Sequence, residues 1–386
     1  MERKSGDYLT SSVGGETVRA FIPAPLPPVP PLDMHGALLR ELEKANHGLG
    51  KLDAMAEVFP DINLFLCQYI RKEALLSSQI EGTQSSFADL LLYEIDQLPG
   101  VPLDDTEEVS NYIAALNHGL QRLQTGFPLS LRLLKEVHAI LLQGGRGKNK
   151  QPGEFRQSQN WIGGSRPGNA VFVPPPPDKL MDCLGPFETF LHTGSDEIPT
   201  LIKAGLSHVQ FETIHPFLDG NGRLGRLLIT LLMCHDQLLK QPLLYLSLYF
   251  KQHRTDYYRH LQQVRQTGDW ETWLMFFLRG ITETAEQAIA TANSISTLFK
   301  EDGETINQLG RIAKSCQQVY AHLQEHGIAA IQTTSKKLEI NRTTVNRCLT
   351  LLLEKGIVEE MTGYKRNRLY AYRRYIQILA DGADPI

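Results

Sequence analysis

Residues 215–226 combine, within twelve consecutive positions, the side chains needed to handle a phosphate ester. The segment reads His-Pro-Phe-Leu-Asp-Gly-Asn-Gly-Arg-Leu-Gly-Arg, and an apolar helical run, 227–234, follows it directly. Because Gly and Asn tolerate a positive φ, residues 220–222 can turn successive backbone N–H groups inward. A nest of this kind, immediately preceding a helix N-terminus, is a binding site for phosphate groups.

The charged side chains of the segment extend this interpretation. Arg223 and Arg226, three positions apart, share a helical face and can hold phosphate oxygens in bidentate fashion. Asp219 offers the hard oxygen that Mg²⁺ shares with nucleotide phosphates, and His215 can take a proton from a hydroxyl. The residues together predict transfer from a nucleoside triphosphate to an alcohol. The alternative, a tight turn with a solvated aspartate and arginines, leaves the full combination unexplained.

The segment resembles the signature of the Fic family, His-Pro-Phe-x-Asp-Gly-Asn-Gly-Arg-x-x-Arg, without a mismatch. The resemblance implies a mainly α-helical fold and transfer of AMP from ATP to a Ser, Thr or Tyr hydroxyl of a target protein or of the chain itself. It also implies ATP and Mg²⁺ as cofactors, His215 as the catalytic base and Asp219 as the metal ligand. The other nucleotide-binding residues of the motif are then Phe217, Gly220, Asn221, Gly222, Arg223 and Arg226.

A second informative stretch, Ser77 to Gly82, ends the helical pattern of residues 62–80. Gly82 stands where a C′ glycine is expected, so Glu81 meets the negative end of the helix dipole and calls for a cationic partner. A solvated glutamate at a helix end is the simpler interpretation. The pattern Ser-x-x-x-Glu-Gly, however, resembles the inhibitory motif of Fic proteins. That resemblance implies that Glu81 pairs with Arg226 and blocks the γ-phosphate site.

Residues 155–173 interrupt the helical periodicity. Short segments at 160–162 and 170–173 flank glycine-rich turns, which predicts a β-hairpin. The hairpin is either a structural excursion or, as the resemblance implies, a flap that includes Ile162 and Gly163. In Fic proteins the edge of this flap pairs with the backbone of the target by strand addition and presents the hydroxyl to the catalytic histidine.

Two adjacent tyrosines, Tyr257 and Tyr258, follow a basic cluster at 251–254. Neighbouring helical residues point about 100° apart, so one ring is expected in the core and the other beside a cleft. The resemblance places this region, with His253, next to the nucleotide base. Many relatives carry Asn where this chain has His253.

The chain is long enough for two or three domains. We predict an N-terminal helical region at 1–108, a catalytic helical bundle at 109–300 and a third domain at 310–386. Within the first, residues 1–21 are expected to be turn-rich, 22–32 to form a proline-rich strap on the chain's own domain, and 101–106 to be a linker.

The third domain is predicted to be a winged helix-turn-helix. Helical patterns at 316–325, 333–338 and 342–355 precede a hairpin around Thr362-Gly363, and residues 311–375 contain twelve Lys or Arg against five Glu and no Asp. That excess of positive charge suits DNA, bound through 310–375. A role in dimerisation or target docking stays open, and so does a homodimer. The groove-facing residues would be Thr343, Thr344, Asn346 and Arg347.

Bulk composition excludes several classes of protein. A net charge of −4 argues against an overall nucleic-acid or membrane role. Five scattered cysteines without a CxxC pair indicate neither a disulfide framework nor a zinc site. The N-terminus lacks a signal-peptide h-region, and no apolar run approaches the roughly 20 residues of a membrane span, which predicts a cytoplasmic protein without membrane contact.

Two rival functions remain. The Fic fold also supports kinase-type γ-phosphate transfer and AMP removal. Kinase-type relatives lack the second glycine of the nest, whereas this chain keeps Gly222. The non-enzymatic rival is a nucleotide-sensing, DNA-binding regulator. The presence of His215 argues against it, because sensing needs no base.

Overall fold

The computed structural model describes residues 3–13, 15–59, 62–94, 103–144, 147–364 and 367–385. Helices dominate this part of the chain, and only two small antiparallel sheets accompany them. The mainly α-helical fold class predicted from the sequence is confirmed. Up to residue 235 the helices are α1 (Ala37–Val58), α2 (Ile62–Ile80), α3 (Phe87–Glu94), α4 (Leu103–Gln124), α5 (Leu131–Leu141), α6 (Leu180–Leu191), α7 (Thr200–Ile214) and α8 (Asn221–His235).

The second half of the chain continues the bundle and then adds a separate group of shorter elements. The bundle helices are α9 (Ser247–Gln252), α10 (Arg254–Thr267) and α11 (Trp270–Asn307). The elements that follow are α12 (Ala313–His326), β3 (Ile328–Ala330), α13 (Ile331–Leu338), α14 (Arg342–Glu354), β4 (Glu359–Glu360), β5 (Leu369–Ala371) and α15 (Arg373–Ala380).

Helix α7 is the centre of the bundle and leads directly into the motif. All of its residues are buried, the polar and charged ones included, so its polar side chains need partners within the protein. Lys203, for example, pairs with Asp236, and His208 bonds to Tyr257. It packs against α8, α6 and α11. The approach to α11 is close at Gly205, where a side chain would collide with Leu274, and Trp273 Nε1 donates a 2.9 Å hydrogen bond to the Gly205 carbonyl. This packing fixes the position at which the chain emerges into residues 215–220.

The N-terminal segment differs from the expectation of a turn-rich stretch. It forms a β-hairpin, β1 (Gly6–Val13) with β2 (Glu16–Pro23), in register Gly6 with Pro23. The reason is a period-two pattern in β2, whose Val18 and Ala20 are buried against Val173. The proline-rich strap begins where β2 ends and lies on the bundle, because Gln210 Nε2 donates to the Ala24 carbonyl over 3.0 Å.

Three element boundaries also differ from the sequence-based prediction. The prediction of a linker at 101–106 is wrong for residues 103–106, because they form the first turn of α4. Residues 101 and 102 lie outside the described residues. Acidic side chains in that turn favour the helix. The helical region that contains the basic cluster at 251–254 and the two tyrosines is divided at His253 into α9 and α10. The last bundle helix runs past the predicted domain end at 300 to Asn307.

The C-terminal elements follow the predicted order of three helices and a hairpin, with two additions. A short strand, β3, completes a sheet of order β3-β5-β4, and α15 follows β5. Helix α15 was not predicted from the sequence. It packs on α2, α3 and α11, so the end of the described chain returns to the N-terminal helices. None of the described helices is both long and apolar enough to cross a membrane.

Candidate active site

The motif occupies the turn between α7 and α8. His215 caps α7 in the left-handed region with φ 50°, and Gly220 precedes α8 with φ 74°. Asn221 closes the turn, because its Oδ1 accepts from the Phe217 amide at 2.9 Å and its Nδ2 donates to the Phe217 carbonyl at 2.8 Å. Of residues 220–222, only Gly220 has a positive φ. The predicted anion site thus consists of one left-handed residue followed by the first turn of α8, whose N–H groups have no partner within the helix.

His138 supports the loop from below. Its ring stacks on Phe217 at 3.7 Å between centroids, and Phe217 is itself fully buried. His138 Nδ1 accepts from the Gly153 amide at 2.9 Å, so Nε2, 3.0 Å from the Asp219 carbonyl, is the donor. Burial lowers the pKa of His138 to about 4, in keeping with this neutral tautomer. Phe217 therefore shapes the loop from the core side.

The His215 imidazole is held in its neutral form. Burial, followed by the positive charges of Arg265 and Arg156, lowers its pKa to about 3. Its Nδ1 is buried and has no hydrogen-bond partner among the described residues. A neutral imidazole keeps a lone pair on one of its two nitrogens and can accept a proton there, which is what a general base requires.

Arg156 fixes the backbone on which His215 is mounted. Its Nε donates to the His215 carbonyl at 2.8 Å, and its other nitrogens donate to the carbonyls of Ile214, Pro175 and Ser158. Only 2% of Arg156 is exposed. One guanidinium thus satisfies carbonyls at the end of α7, where a helix leaves its last C=O groups unpaired.

Arg226 is engaged by the end of α2. Its Nη2 lies 2.7 Å from Glu81 Oε1 and 2.8 Å from the Ser77 carbonyl, while its Nε donates to Ser77 Oγ at 2.8 Å. Burial alone would raise the pKa of the Glu81 carboxyl, but the Arg226 charge outweighs it and lowers that pKa below its usual value. The ion pair is therefore charged on both sides at neutral pH.

The turn after α2 presents Glu81 to this pair. The Thr83 amide donates to the Ser78 carbonyl, and the Gly82 amide to the Gln79 carbonyl, with Gly82 at φ 104°. This is a Schellman ending, with Gly82 at C′ as expected. The glutamate at the helix terminus is held by a cation from α8, which offsets the unfavourable interaction with the helix dipole.

The first motif arginine has a different partner. Arg223 Nη1 lies 3.0 Å from Glu108 Oε2 on α4, and both side chains are buried. Arg223 Nε is buried without a partner among the described residues. Asp219 is more open, with 43% of its side chain exposed and its Oδ1 accepting from the Gly220 amide. An open carboxylate at this turn offers the hard oxygen that a Mg²⁺ ion prefers.

The predicted hairpin at 155–173 is reduced to a single antiparallel bridge, Ile162 with Phe172. Between them, Asn169 Oδ1 accepts from the amides of Ser165 and Arg166, which closes a compact turn in place of a longer ladder. Asn160 Nδ2 donates to the Phe217 carbonyl at 3.1 Å, so this segment, including Ile162 and Gly163, is attached directly to the motif loop.

The two adjacent tyrosines diverge as expected. Tyr257 is 1% exposed and bonds to His208 Nε2 at 2.8 Å, whereas Tyr258 is 42% exposed. Burial, followed by the negative charge of Glu81, raises the pKa of Tyr258. His253 packs against Tyr249 and lines a separate cavity that includes none of residues 215–226. Tyr257 is linked to the motif through His208, which also bonds to the Gly225 carbonyl at 3.0 Å, and Tyr258 is the exposed member of the pair.

Four supporting residues were not predicted from the sequence: His138, Arg156, Glu108 and Asn160. Each contacts the motif over a separation of at least 57 residues. No local spacing signals such contacts, because they arise only when helices pack.

Comparison with known protein families gives two matches. Residues 39–121 match the Fic/DOC family N-terminal domain, and residues 128–233 match the Fic/DOC family. The second match covers the motif and the supporting residues His138, Arg156 and Asn160. The first covers Ser77, Glu81 and Glu108.

Curated relatives agree with these matches. The protein adenylyltransferase Fic of Aedes aegypti is 30% identical over 248 residues, which are 62% of this chain and 45% of that protein. The protein of the same name from Culex quinquefasciatus is 29% identical over 214 residues, 54% of this chain and 39% of that protein. The chain therefore spans less than half the length of these relatives.

Solved structures show the same fold. A Fic family protein from Desulfovibrio desulfuricans G20 superposes with a TM-score of 0.57 at 19% identity and covers 88% of this chain and 97% of its own. Residues 134–508 of Fic-1 from C. elegans superpose with a TM-score of 0.50 at 19% identity, covering 66% and 73%. At this identity the likeness concerns the fold alone.

Proposed function

The chain belongs to the Fic/DOC family, and on this premise we propose that it is an adenylyltransferase that moves AMP from ATP to a Ser, Thr or Tyr hydroxyl of a protein. The observation that carries the proposal is the uninterrupted motif at the N-terminus of α8, with the neutral His215 on one side and two buried arginines on the other. We assign the reaction to residues 109–300 and the inhibitory contact to the helices before them.

The first turn of α8 is the proposed site of the triphosphate. Its free N–H groups and the positive end of the helix dipole favour phosphate oxygens. Arg223 and Arg226 supply two guanidiniums, and the unpartnered Arg223 Nε leaves donor capacity for a substrate. Asp219 would hold Mg²⁺, which when bound neutralises phosphate charge. We propose that Tyr258 lies next to the base of the nucleotide. Tyr257 lies behind it, bonded to His208, and His253 lines a separate cavity.

The chemical step follows from His215. A hydroxyl of the target attacks the α-phosphorus, a new P–O bond forms, and the bond to the β-phosphate oxygen breaks to release pyrophosphate. His215 accepts the hydroxyl proton as this happens. The protein contributes chiefly position and charge stabilisation, as in phosphoryl transfer generally. Arg156 holds the His215 backbone and thus the direction of attack.

The segment at 160–163 is the proposed docking edge for the target. The opposite edge, at residues 170–173, already has a partner within the chain, because the Phe21 amide of β2 donates a hydrogen bond to the Val173 carbonyl at 2.9 Å. Trp161 is 39% exposed beside this edge. A target backbone that adds here as a strand would bring its side chain toward the motif loop, to which Asn160 is bonded.

We further propose that Glu81 inhibits the enzyme. Its carboxylate uses the Arg226 guanidinium and brings a negative charge next to the first turn of α8. A triphosphate would meet both the lost cation and the like charge, so ATP would bind with its α-phosphate out of line for attack. Because 36% of the Glu81 side chain is exposed, solvent weakens the ion pair. We therefore expect the pair to slow AMP transfer by roughly tenfold.

Residues 310–386 are the proposed winged helix-turn-helix domain, with α14 as its recognition helix. Thr343, Asn346 and Arg347 are exposed on α14, as contact with a nucleic acid requires. The basic composition of the domain favours DNA as its partner.

One experiment separates the proposed reaction from its rivals. The protein and its Glu81→Gly variant are incubated with ATP labelled on either the α- or the γ-phosphate, and the products are resolved on a gel. Adenylyl transfer puts the α-label on protein and leaves the γ-label in pyrophosphate. Protein labelled only from γ-ATP would indicate a kinase-type reaction, and no label from either would favour nucleotide sensing.

A further inference from the structure

Gln79 connects three parts of the chain at the end of α2. Its side chain is 1% exposed. The amide nitrogen donates to the Ser85 carbonyl at 2.8 Å and to the Ala383 carbonyl at 2.9 Å, and the amide oxygen accepts from Lys251 Nζ at 2.7 Å. Both donor hydrogens and the acceptor are therefore used. A buried amide satisfied in this way has one position, because any displacement leaves a polar group without a partner.

The C-terminal residues 381–385 are the most distant partner in sequence. Ala383 is 1% exposed, and its amide donates to the Ala380 carbonyl at the end of α15. Lys251 Nζ also donates to the Gly382 and Asp384 carbonyls. Gly382 has φ 73° and lies so close to Leu248 on α9 that a side chain there would collide. We call residues 381–385 the C-terminal latch.

Helix α2 faces the C-terminal elements on one side and the motif on the other. Gln68 Nε2 donates to the Glu325 carbonyl at the end of α12, and Lys72 is buried close to Asp381. Gln68, Lys72 and Gln79 are four and eleven positions apart, so they share one helical face. Ser77, which binds Arg226, lies about 180° away from Gln68 on the same helix.

The latch and the inhibitory glutamate meet at a single turn. The Gln79 carbonyl accepts from the Gly82 amide at 3.0 Å, so the residue that the latch holds also anchors the turn that carries Glu81. Arg254 Nη2, three residues after Lys251, donates to the Ile80 carbonyl at 3.2 Å. The direction of Glu81 toward Arg226 therefore depends on contacts made by α9, α10 and the latch.

We propose that the C-terminal latch, acting through Gln79 as a positioning residue, holds Glu81 on Arg226, so that displacement of the latch activates the enzyme. The proposal rests on the proposed adenylyl transfer and on the inhibitory role of Glu81. It gives the C-terminal domain a regulatory role, because any binding event there that moves α15 pulls on the turn of Glu81. The domain need not touch the motif to control it.

Ala383→Arg in the full chain tests this, because a long charged side chain cannot stay at a buried alanine. Transfer of the α-label from ATP should rise by roughly tenfold, the factor that corresponds to one buried hydrogen bond. Lys251→Met, which removes the ammonium bonded to Gln79, should also raise the transfer of the α-label. It is the second test of the proposal if the arginine variant does not fold. Gln377→Arg, the same new side chain at an exposed position of α15, should have no effect.

Two further measurements identify the route of activation. In a Glu81→Gly background, Ala383→Arg and Lys251→Met should add nothing, because no inhibitory carboxylate is left to release. Hydrogen exchange of the Glu81, Gly82 and Thr83 amides should accelerate in both latch variants and not in Gln377→Arg.

Faster exchange at these amides without faster transfer, or activation that persists in the Glu81→Gly background, overturns the latch. Unchanged exchange in both folded latch variants also overturns it. If Glu81→Gly itself transfers no label, the proposed reaction has failed. The exchange experiment then still decides whether the latch holds the turn.

Discussion

The Glu81 carboxylate lies directly over Gly222 in the first turn of α8, so closely that a β-carbon at position 222 would overlap Glu81 Oε1. The same oxygen is 2.7 Å from Arg226 Nη2. One carboxylate therefore covers the backbone of the proposed phosphate-binding turn and pairs with the guanidinium beside it. A side chain at position 222 would push the Glu81 carboxylate away from the position it has here.

Removal of that carboxylate should activate the enzyme. We expect Glu81→Gly to raise the rate of AMP transfer, to the chain itself or to a target, by at least about tenfold, because it frees Arg226 and removes a negative charge from the phosphate site. Glu81→Asp, whose side chain is one methylene shorter, should give a rate between those of the parental protein and of Glu81→Gly. The measurement is the initial rate of incorporation of α-labelled AMP at saturating ATP and Mg²⁺.

The control for this prediction is Arg226→Ala. It breaks the same ion pair but also deletes the guanidinium that should hold the phosphates, so it should not activate. An unchanged rate in Glu81→Gly, with normal folding by circular dichroism, would falsify the inhibitory role and leave Glu81 as a helix-terminal residue.

Substitution of the proposed base should separate chemistry from binding. In a Glu81→Gly background, His215→Ala should abolish transfer of the α-label while ATP affinity, measured by calorimetry, stays within a few fold, because the imidazole accepts a proton and does not hold phosphate. His35→Ala, at an exposed position before α1, is the matched control and should leave both quantities unchanged. Transfer at a near-parental rate in the His215 variant would remove it from the mechanism.

The sequence predicted those parts of the site whose signal is local. The motif lies at a helix start, Gly82 is a helix-ending glycine with positive φ, and Tyr257 and Tyr258 diverge into core and surface. Each follows from spacing along one helix or one turn. The pairing of Glu81 with Arg226, 145 residues apart, was implied by the family resemblance alone.

The supporting residues could not be predicted because their signal is tertiary. His138 reaches the Asp219 carbonyl across 81 residues, and Glu108 reaches Arg223 across 115. The polar character of His138 and Glu108 does not indicate which residue each of them contacts. The N-terminal hairpin was missed for a related reason, since β2 is stabilised by burial of Val18 and Ala20 against Val173, a contact that the sequence does not show.

Acid should destabilise the fold through buried neutral histidines. Burial lowers the pKa to about 4 for His138 and His322 and to about 3 for His208 and His215. The unfolded chain, with a histidine pKa near 6.5, binds these protons first, so each contribution to stability is complete above about pH 6.5 and is lost as the pH falls toward 4 and 3. The free energy of unfolding in urea should decrease between about pH 6.5 and 5.

Two buried carboxyls oppose this trend. Burial raises the pKa of Glu73 and Glu212 to about 7, so their stabilisation is complete below about pH 4.5 and is lost as the pH rises through 7. Glu73→Gln should therefore make the acid loss of stability steeper, by up to about 1.4 kcal/mol per pH unit. Glu57→Gln, a substitution of an exposed glutamate on α1, is the control. A shallower acid loss in Glu73→Gln would contradict the assignment of raised pKa to this group.

The C-terminal domain should bind DNA through α14. We expect a mobility shift with genomic fragments at low salt that weakens steeply toward physiological salt, since each phosphate contact by Lys or Arg releases counterions. Arg347→Ala should weaken binding and reduce the salt slope, because Arg347 is exposed on the predicted recognition helix. Arg40→Ala, an exposed arginine of α1 outside the domain, should leave both unchanged. If no DNA fragment shifts at low salt at any protein concentration, the domain does not bind DNA and its proposed role becomes the docking of a protein.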